Sequence, residues 1–117
     1  MKEILIIEDD MAISHMLADL LTAFGYAVRQ AANGRLGLDM LEDKLPDLIL
    51  CDVMMPILDG RAVCQRIHAT PRFQSIPLVM MSAGNVDLSD CSYTGFLPKP
   101  FDIPKLLALI VRLIGPA

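Results

Sequence analysis

Two apolar runs without alternation, Leu48-Ile49-Leu50-Cys51 and Leu78-Val79-Met80-Met81, constrain the fold more than any other feature. A strand with one wet face alternates apolar and polar residues, whereas a strand covered on both faces does not. Both runs therefore require a sheet buried between two layers. Ile4-Leu5-Ile6-Ile7 reads the same way. Between the runs lie segments of 3.6-residue periodicity. Strands alternating with helical patterns of roughly 10–15 residues imply βαβ units and a parallel sheet. The expected architecture is α/β: five strands in a three-layer α/β/α sandwich, with residues 1–117 forming one domain.

The punctuation fits this alternation. Asp9 or Asp10 stands where the first helix needs an N-cap, and Gly25 where it stops. Ile13, Met16, Leu17, Leu20, Leu21 and Phe24 form its apolar stripe. Tyr26 to Ala31 reads as the second strand, and Asn33 caps a helix running to about Lys44 with Met40 and Leu41 inward. Gly37 should weaken that helix by roughly 1 kcal/mol relative to alanine. A third helix is expected from about Leu58 to Ala69, closed by Thr70-Pro71. Pro77 opens the fourth strand, and Gly95 to Lys99 makes a short fifth. Pro98 assigns the fifth strand to a sheet edge, since proline cannot donate to a ladder on both sides. Asp102 caps the last helix, with Pro104 in its first turn.

Chemistry-bearing groups sit where the apolar runs end. Glu8 and Asp9 follow the first run, Asp52 the third, Ser82 the fourth and Lys99 the fifth. Ligands of an open parallel sheet bind outside the carboxyl ends of its strands, so one cleft can gather all five. Acids beside a lysine and a hydroxyl suit a hard divalent cation and a phosphoryl group. Clustered carboxylates repel until a cation enters. Asp52 can then act as a carboxylate nucleophile, with Lys99 neutralising charge and Ser82 bonding a phosphoryl oxygen. Each group has a plainer alternative. Lys99 could form a simple salt bridge, Ser82 could cap backbone, and the acids could favour a helix N-terminus; Asp10 reads best in that last role.

Ile6-Ile7-Glu8-Asp9-Asp10, Asp47 to Pro56, Leu58-Asp59-Gly60 and Lys99-Pro100-Phe101 resemble the receiver domain of bacterial two-component response regulators, in order and over essentially the whole chain. The resemblance implies a flavodoxin-like sheet of order 2-1-3-4-5. It implies a phosphorelay in which Asp52 accepts a phosphoryl group from a sensor histidine kinase or phosphotransfer protein. Glu8 and Asp9 match the acidic pair for magnesium, and Met54 would lend its backbone carbonyl. Ser82 matches the switch hydroxyl, Lys99 the phosphate-binding lysine and Phe96 the switch aromatic. A cis Lys99-Pro100 bond is also expected. Only 17 positions separate Ser82 from Lys99, at least a helical turn fewer than is usual. The helix between the last two strands should be stunted or replaced by a loop.

Composition excludes several classes. A net charge of −4 and no basic patch argue against nucleic-acid binding by this chain. The longest apolar stretch, Leu106 to Val111, is far short of the roughly 20 residues of a membrane span. Met1-Lys2-Glu3-Ile4 lacks a signal-peptide pattern, so a cytoplasmic chain is expected. Cys51, Cys64 and Cys91 fit neither a disulfide framework nor a zinc motif, and Cys51 and Cys64 read as small buried hydrophobes. His15 and His68 read as surface residues, and most of the methionines as core filler. A turnover enzyme is not expected: an aspartyl phosphatase typically carries a second aspartate where Met54 stands. A flavodoxin is equally unfavoured, because Glu8-Asp9-Asp10 would repel its phosphate. The alternative to phosphorelay is a receiver-like module that binds protein without phosphorylation.

The hydrophobic fraction of 54% is high. In the last helix, Ile103, Leu106, Leu107, Ile110, Leu113 and Ile114 form the core stripe, with Leu109 and Val111 off it. A second copy or an output partner is expected to pack on the face carrying Leu109 and Val111, unless Ala83 to Tyr93 folds over it.

Overall fold

The computed structural model describes all residues, Met1–Ala117. Its elements are β1 (Glu3–Ile7), α1 (Met11–Ala23), β2 (Ala27–Ala31), α2 (Gly34–Asp43), β3 (Leu48–Asp52), α3 (Gly60–Ala69), a 3₁₀ turn (Pro71–Phe73), β4 (Leu78–Ser82), β5 (Gly95–Pro98) and α4 (Ile103–Ile114). The strands form one sheet of order β2-β1-β3-β4-β5, all neighbours parallel. Pro98 lies on the edge strand β5, where its missing N–H costs no ladder bond.

The unalternating runs are explained by two apolar layers. Leu5, Ile7, Ile49, Cys51, Leu78 and Met80 face Leu41 of α2 and Val63 and Ile67 of α3. Ile4, Ile6, Leu48, Leu50, Val79 and Met81 face Leu17 and Leu21 of α1 and Leu106 and Ile110 of α4. β1, β3 and β4 are buried along their whole length. Each fully buried Leu or Ile contributes roughly 1.5–3 kcal/mol.

Helix starts follow the capping residues. The Asp10 carboxylate accepts from the N–H groups of Ala12 and Ile13, Asn33 from Leu36, Asp59 from Ala62 and Asp102 from Lys105. Asp59 therefore sets the start of α3 at Gly60, two residues after the expected Leu58. The stripe of α1 is narrower than expected. Phe24 and Met16 are exposed, while Ser14 is buried and accepts from Gln30 Nε2 at 2.8 Å. Gly37 has a packing reason for standing in α2. A Cβ there would lie 2.5 Å from Ile7 Cδ1, so the glycine lets α2 approach β1.

No helix lies between β4 and β5. Ala83 to Thr94 is irregular and lies across α3, not over α4. Arg61 donates to Asp87 O at 3.1 Å, Gln65 to Asp90 Oδ2 at 3.1 Å, and His68 Nε2 pairs with Ser92 O. These positions recur every three or four residues and so share one face of α3. Cys64, on the same face, is disulfide-bonded to Cys91. This corrects the reading of Cys64 as a lone buried thiol. The spacing of 27 residues matches no framework, because the pairing arises only when the helix-less segment crosses α3. Cys51 is free and buried, as expected.

The packing of β5 also corrects the reading of α4. Leu109 is half-buried, its Cδ2 3.1 Å from where a Cβ on Gly95 would stand, so it covers β5. Val111 lies about 200° around the helix and is 45% exposed, beside Phe24 at 54%. The two residues therefore do not form one exposed face.

Gly60 couples α3 to the end of β3. A Cβ at Gly60 would stand 2.4 Å from Asp52 O and 2.7 Å from Val53 Cα, and its N–H donates to Val53 O at 2.8 Å. These are backbone atoms that cannot move aside cheaply. Gly60→Ala is expected to lower unfolding free energy by about 1–3 kcal/mol despite alanine's better helix propensity. Urea unfolding checks this; an unchanged or raised midpoint would contradict the close approach.

Candidate functional site

Parallel register places the reactive side chains together. Ile7 pairs with Cys51, Asp52 with Met81 and Ser82 with Pro98. Glu8, Asp52, Ser82 and Lys99 thus leave the sheet at one edge, the carboxyl ends of β1, β3, β4 and β5. Glu8, Asp52 and Ser82 are buried, whereas Asp9 is exposed.

Lys99 Nζ stands 2.6 Å from Glu8 Oε1 and 3.2 Å from Asp52 Oδ1. Carboxylate oxygens of Glu8, Asp9 and Asp52, one from each, all lie within 4.8 Å of one another. At that separation each charge pair repels by roughly 3–4 kcal/mol at an effective dielectric near 20. One ammonium answers three carboxylates, so the cluster keeps an excess of negative charge. The donor set is all oxygen and carries no thiol or imidazole, which fits a hard cation such as magnesium.

Burial pushes the Glu8 carboxyl up to about 7, the hydrogen bond from Lys99 opposing and the charge of Asp52 adding to the rise. Burial would lower Lys99, but its hydrogen bond to Glu8 and the charge of Asp52 outweigh that and raise it. The pair resolves one way: Lys99 holds its proton, and Glu8 is the group that titrates near neutrality.

The other expected residues surround this cluster. Met54 is exposed in the loop after β3. Ser82 Oγ donates to Ala83 O at a long 3.4 Å. Phe96 points outward at the edge strand, its ring centroid 6.5 Å from that of Tyr93. The Lys99-Pro100 bond is cis, as expected. Within the β3–α3 loop, Leu58 N–H donates to Pro56 O at 2.8 Å, closing a tight turn on Ile57 at φ 72°. A β-branched residue in that region is an outlier costing of order 1–3 kcal/mol. Sequence reading missed this strain, because glycine or asparagine would have marked the turn and isoleucine does not. It also missed Tyr93, which has no motif around it.

The response regulator receiver domain family model matches residues 4–111. This chain belongs to that family. The receiver domain is 38% identical over 119 residues to the DNA-binding dual master transcriptional regulator RpaA of Synechocystis, covering 97% of this chain and 49% of that protein. It is 35% identical over 116 residues to the response regulator MprA of Mycolicibacterium vanbaalenii, covering 95% of this chain and 49% of that one. The receiver domain thus spans about half the length of these curated relatives. Among solved structures, the signal receiver domain of a Syntrophus aciditrophicus signal transduction histidine kinase superposes with TM-score 0.93 at 30% identity, over 97% and 90% of the two chains. The receiver domain of a Pseudomonas aeruginosa sensor histidine kinase superposes with TM-score 0.91 at 27% identity, over 97% and 98%. That structure has a magnesium ion coordinated in the active-site cleft. Receiver domains bind magnesium at an acidic pocket, and Glu8, Asp9 and Asp52 form an acidic group here.

The raised Glu8 carboxyl sets the sign of a pH effect. Between about 4.5 and 7 the folded state holds a proton that the unfolded state has released. Glu8 therefore stabilises the metal-free domain fully below about 4.5, and that contribution is lost as pH rises through 7. Urea unfolding across this window, in a chelator, is expected to show a falling component that Glu8→Gln removes. Equal slopes in the two proteins would contradict the buried, proton-holding Glu8.

Proposed function

We propose that this receiver domain works in a phosphorelay, taking a phosphoryl group onto Asp52 from a phosphohistidine of a sensor histidine kinase or phosphotransfer protein. The observation that carries this reading is the Lys99 ammonium bridging Glu8 and Asp52 inside a carboxylate cluster. An Asp52 oxygen attacks phosphorus, the P–N bond to the donor imidazole breaks, and an acyl phosphate forms. Lys99 stays charged and meets the incoming phosphoryl oxygens. Asp9, Asp52 and the Met54 backbone carbonyl would hold magnesium directly, and Glu8 through water. Magnesium, when bound, supplies charge neutralisation for the transferring group.

Ser82 is the switch hydroxyl in this reading: it has no strong partner of its own and is free to donate to a phosphoryl oxygen. Phe96, outward beside Tyr93, is the switch aromatic. The event is one transfer per phosphate received, not a turnover reaction. No helix is long and apolar enough to cross a membrane, and the domain is proposed to act in the cytoplasm. With a net charge of −4, any DNA contact of the kind named for the Synechocystis relative would fall outside this domain. On α4, the surface offered to a second copy or output partner is that of Val111 beside Phe24. Loss of the helix between β4 and β5 favours the second reading, protein binding without phosphorylation, because that region reads out the signal in the resemblance.

Incubation with acetyl phosphate and magnesium distinguishes them. Mass spectrometry is expected to find one phosphate on the wild type and none on Asp52→Asn or without divalent cation. Lys99→Ala is expected to fold and to lose phosphate-dependent change at Ser82 and Phe96 at least tenfold. Phosphate on a histidine, or retained in Asp52→Asn, would overturn the assignment.

A further inference from the structure

The segment between β4 and β5 is held to α3 by one covalent bond and by surface contacts. It joins Ser82 to Phe96, the two groups that the proposed function makes responsive to phosphate. Leu88 is its one buried side chain, with Val86 half-buried beside it. The side-chain hydrogen bonds from Arg61 and Gln65 are exposed, and bonds of that kind contribute little net stability. The Cys64–Cys91 disulfide is therefore the strongest restraint on the segment.

The fold does not need this bond as a staple. A domain of 117 residues with two filled core clusters is past the size at which disulfides are required. In a cytoplasm, persistent structural disulfides are rare, and those present are usually catalytic or redox-sensing. The two sulfurs are also unequal. Cys64 is fully buried within α3, whereas Cys91 is half-buried on the segment. After reduction Cys64 can stay in the core as a small apolar side chain, so only the segment is freed.

We propose that Cys64–Cys91 is a reversible redox modification site, a clamp that a dithiol reductant opens to release the segment between Ser82 and Phe96. Its reversibility rests on the cytoplasmic location and its consequence for signalling on the phosphorelay, both proposed above; the bond and its hold on the segment rest on neither. A thiolate of the dithiol attacks the Cys91 sulfur, the S–S bond breaks, and Cys64 leaves as a thiolate that takes a proton. The second thiol of the reductant then attacks the mixed disulfide, closes its own ring and releases Cys91. Two electrons and two protons pass from the dithiol to the pair. Cys51, buried in β3 without a partner, takes no part.

The test uses the full chain equilibrated in mixtures of reduced and oxidised dithiothreitol. Cysteines are counted by alkylation after denaturation, and amide hydrogen exchange is followed by mass spectrometry. Cys64 and Cys91 are expected to become alkylated together as the buffer becomes reducing, with Cys51 alkylated throughout. Exchange across residues 83–94 is expected to rise at least tenfold on reduction, while β1 and β3 stay protected. Cys91→Ser is expected to show the fast pattern in both buffers. Three results would each overturn the clamp: both cysteines free in oxidised dithiothreitol, exchange in 83–94 unchanged by reduction, or loss of protection in β1 and β3 on reduction. These readouts use no phosphate. A failure of Asp52 to take up phosphate would therefore contradict the proposed function and leave the clamp standing.

Discussion

Lys99 Nζ, 2.6 Å from Glu8 and 3.2 Å from Asp52, is the contact on which the site depends. Without that cation, keeping two carboxylates buried at adjacent strand ends would be costly, since a buried charge needs a partner. One cation is not enough for both, and the molecule accommodates the shortfall through Glu8, which burial shifts towards its neutral form. Near neutral pH the Glu8 carboxyl thus stands between its neutral and its charged form. The all-oxygen cluster suits a hard divalent cation.

The sheet makes this contact possible. Glu8 and Lys99 are 91 residues apart, on β1 and just past β5, with β3 and β4 between them. Only a parallel sheet delivers the ends of four strands to one edge. The two apolar layers fix that register, because a one-residue slip would send buried Ile, Leu and Met side chains to the wrong layer. Gly60, pressed against Asp52 O, and the strained turn at Ile57 hold the following loop close to the cluster. Strands carry the charged groups, while the segment beyond Ser82 lacks regular structure.

Most of this was legible in the sequence, for physical reasons. Unalternating apolar runs report burial on both faces, and Leu48-Ile49-Leu50 and Leu78-Val79-Met80-Met81 lie in fully buried strands. Capping residues report helix starts, so Asp10, Asn33 and Asp102 stand at them, whereas the start expected at Leu58 overlooked the cap at Asp59. The sequence read poorly where three-dimensional neighbours override a local pattern. Phe24 and Met16 fit a helical stripe that α1 does not need in full, because Ser14 is satisfied by Gln30 inside. Cys91 could not be matched to Cys64 until the missing helix let its segment cross α3. Leu109 covers β5 because Gly95, having no side chain, leaves room for it there, which the helix's own periodicity cannot report.

Magnesium titration of the wild type and Asp9→Asn, followed by calorimetry without phosphate, tests the central claim most directly. If the carboxylate cluster holds its excess charge in readiness for a cation, the wild type binds magnesium and Asp9→Asn binds at least about tenfold more weakly, a loss of roughly 1.4 kcal/mol. Equal affinity in the two proteins, or no binding to the wild type, would contradict it.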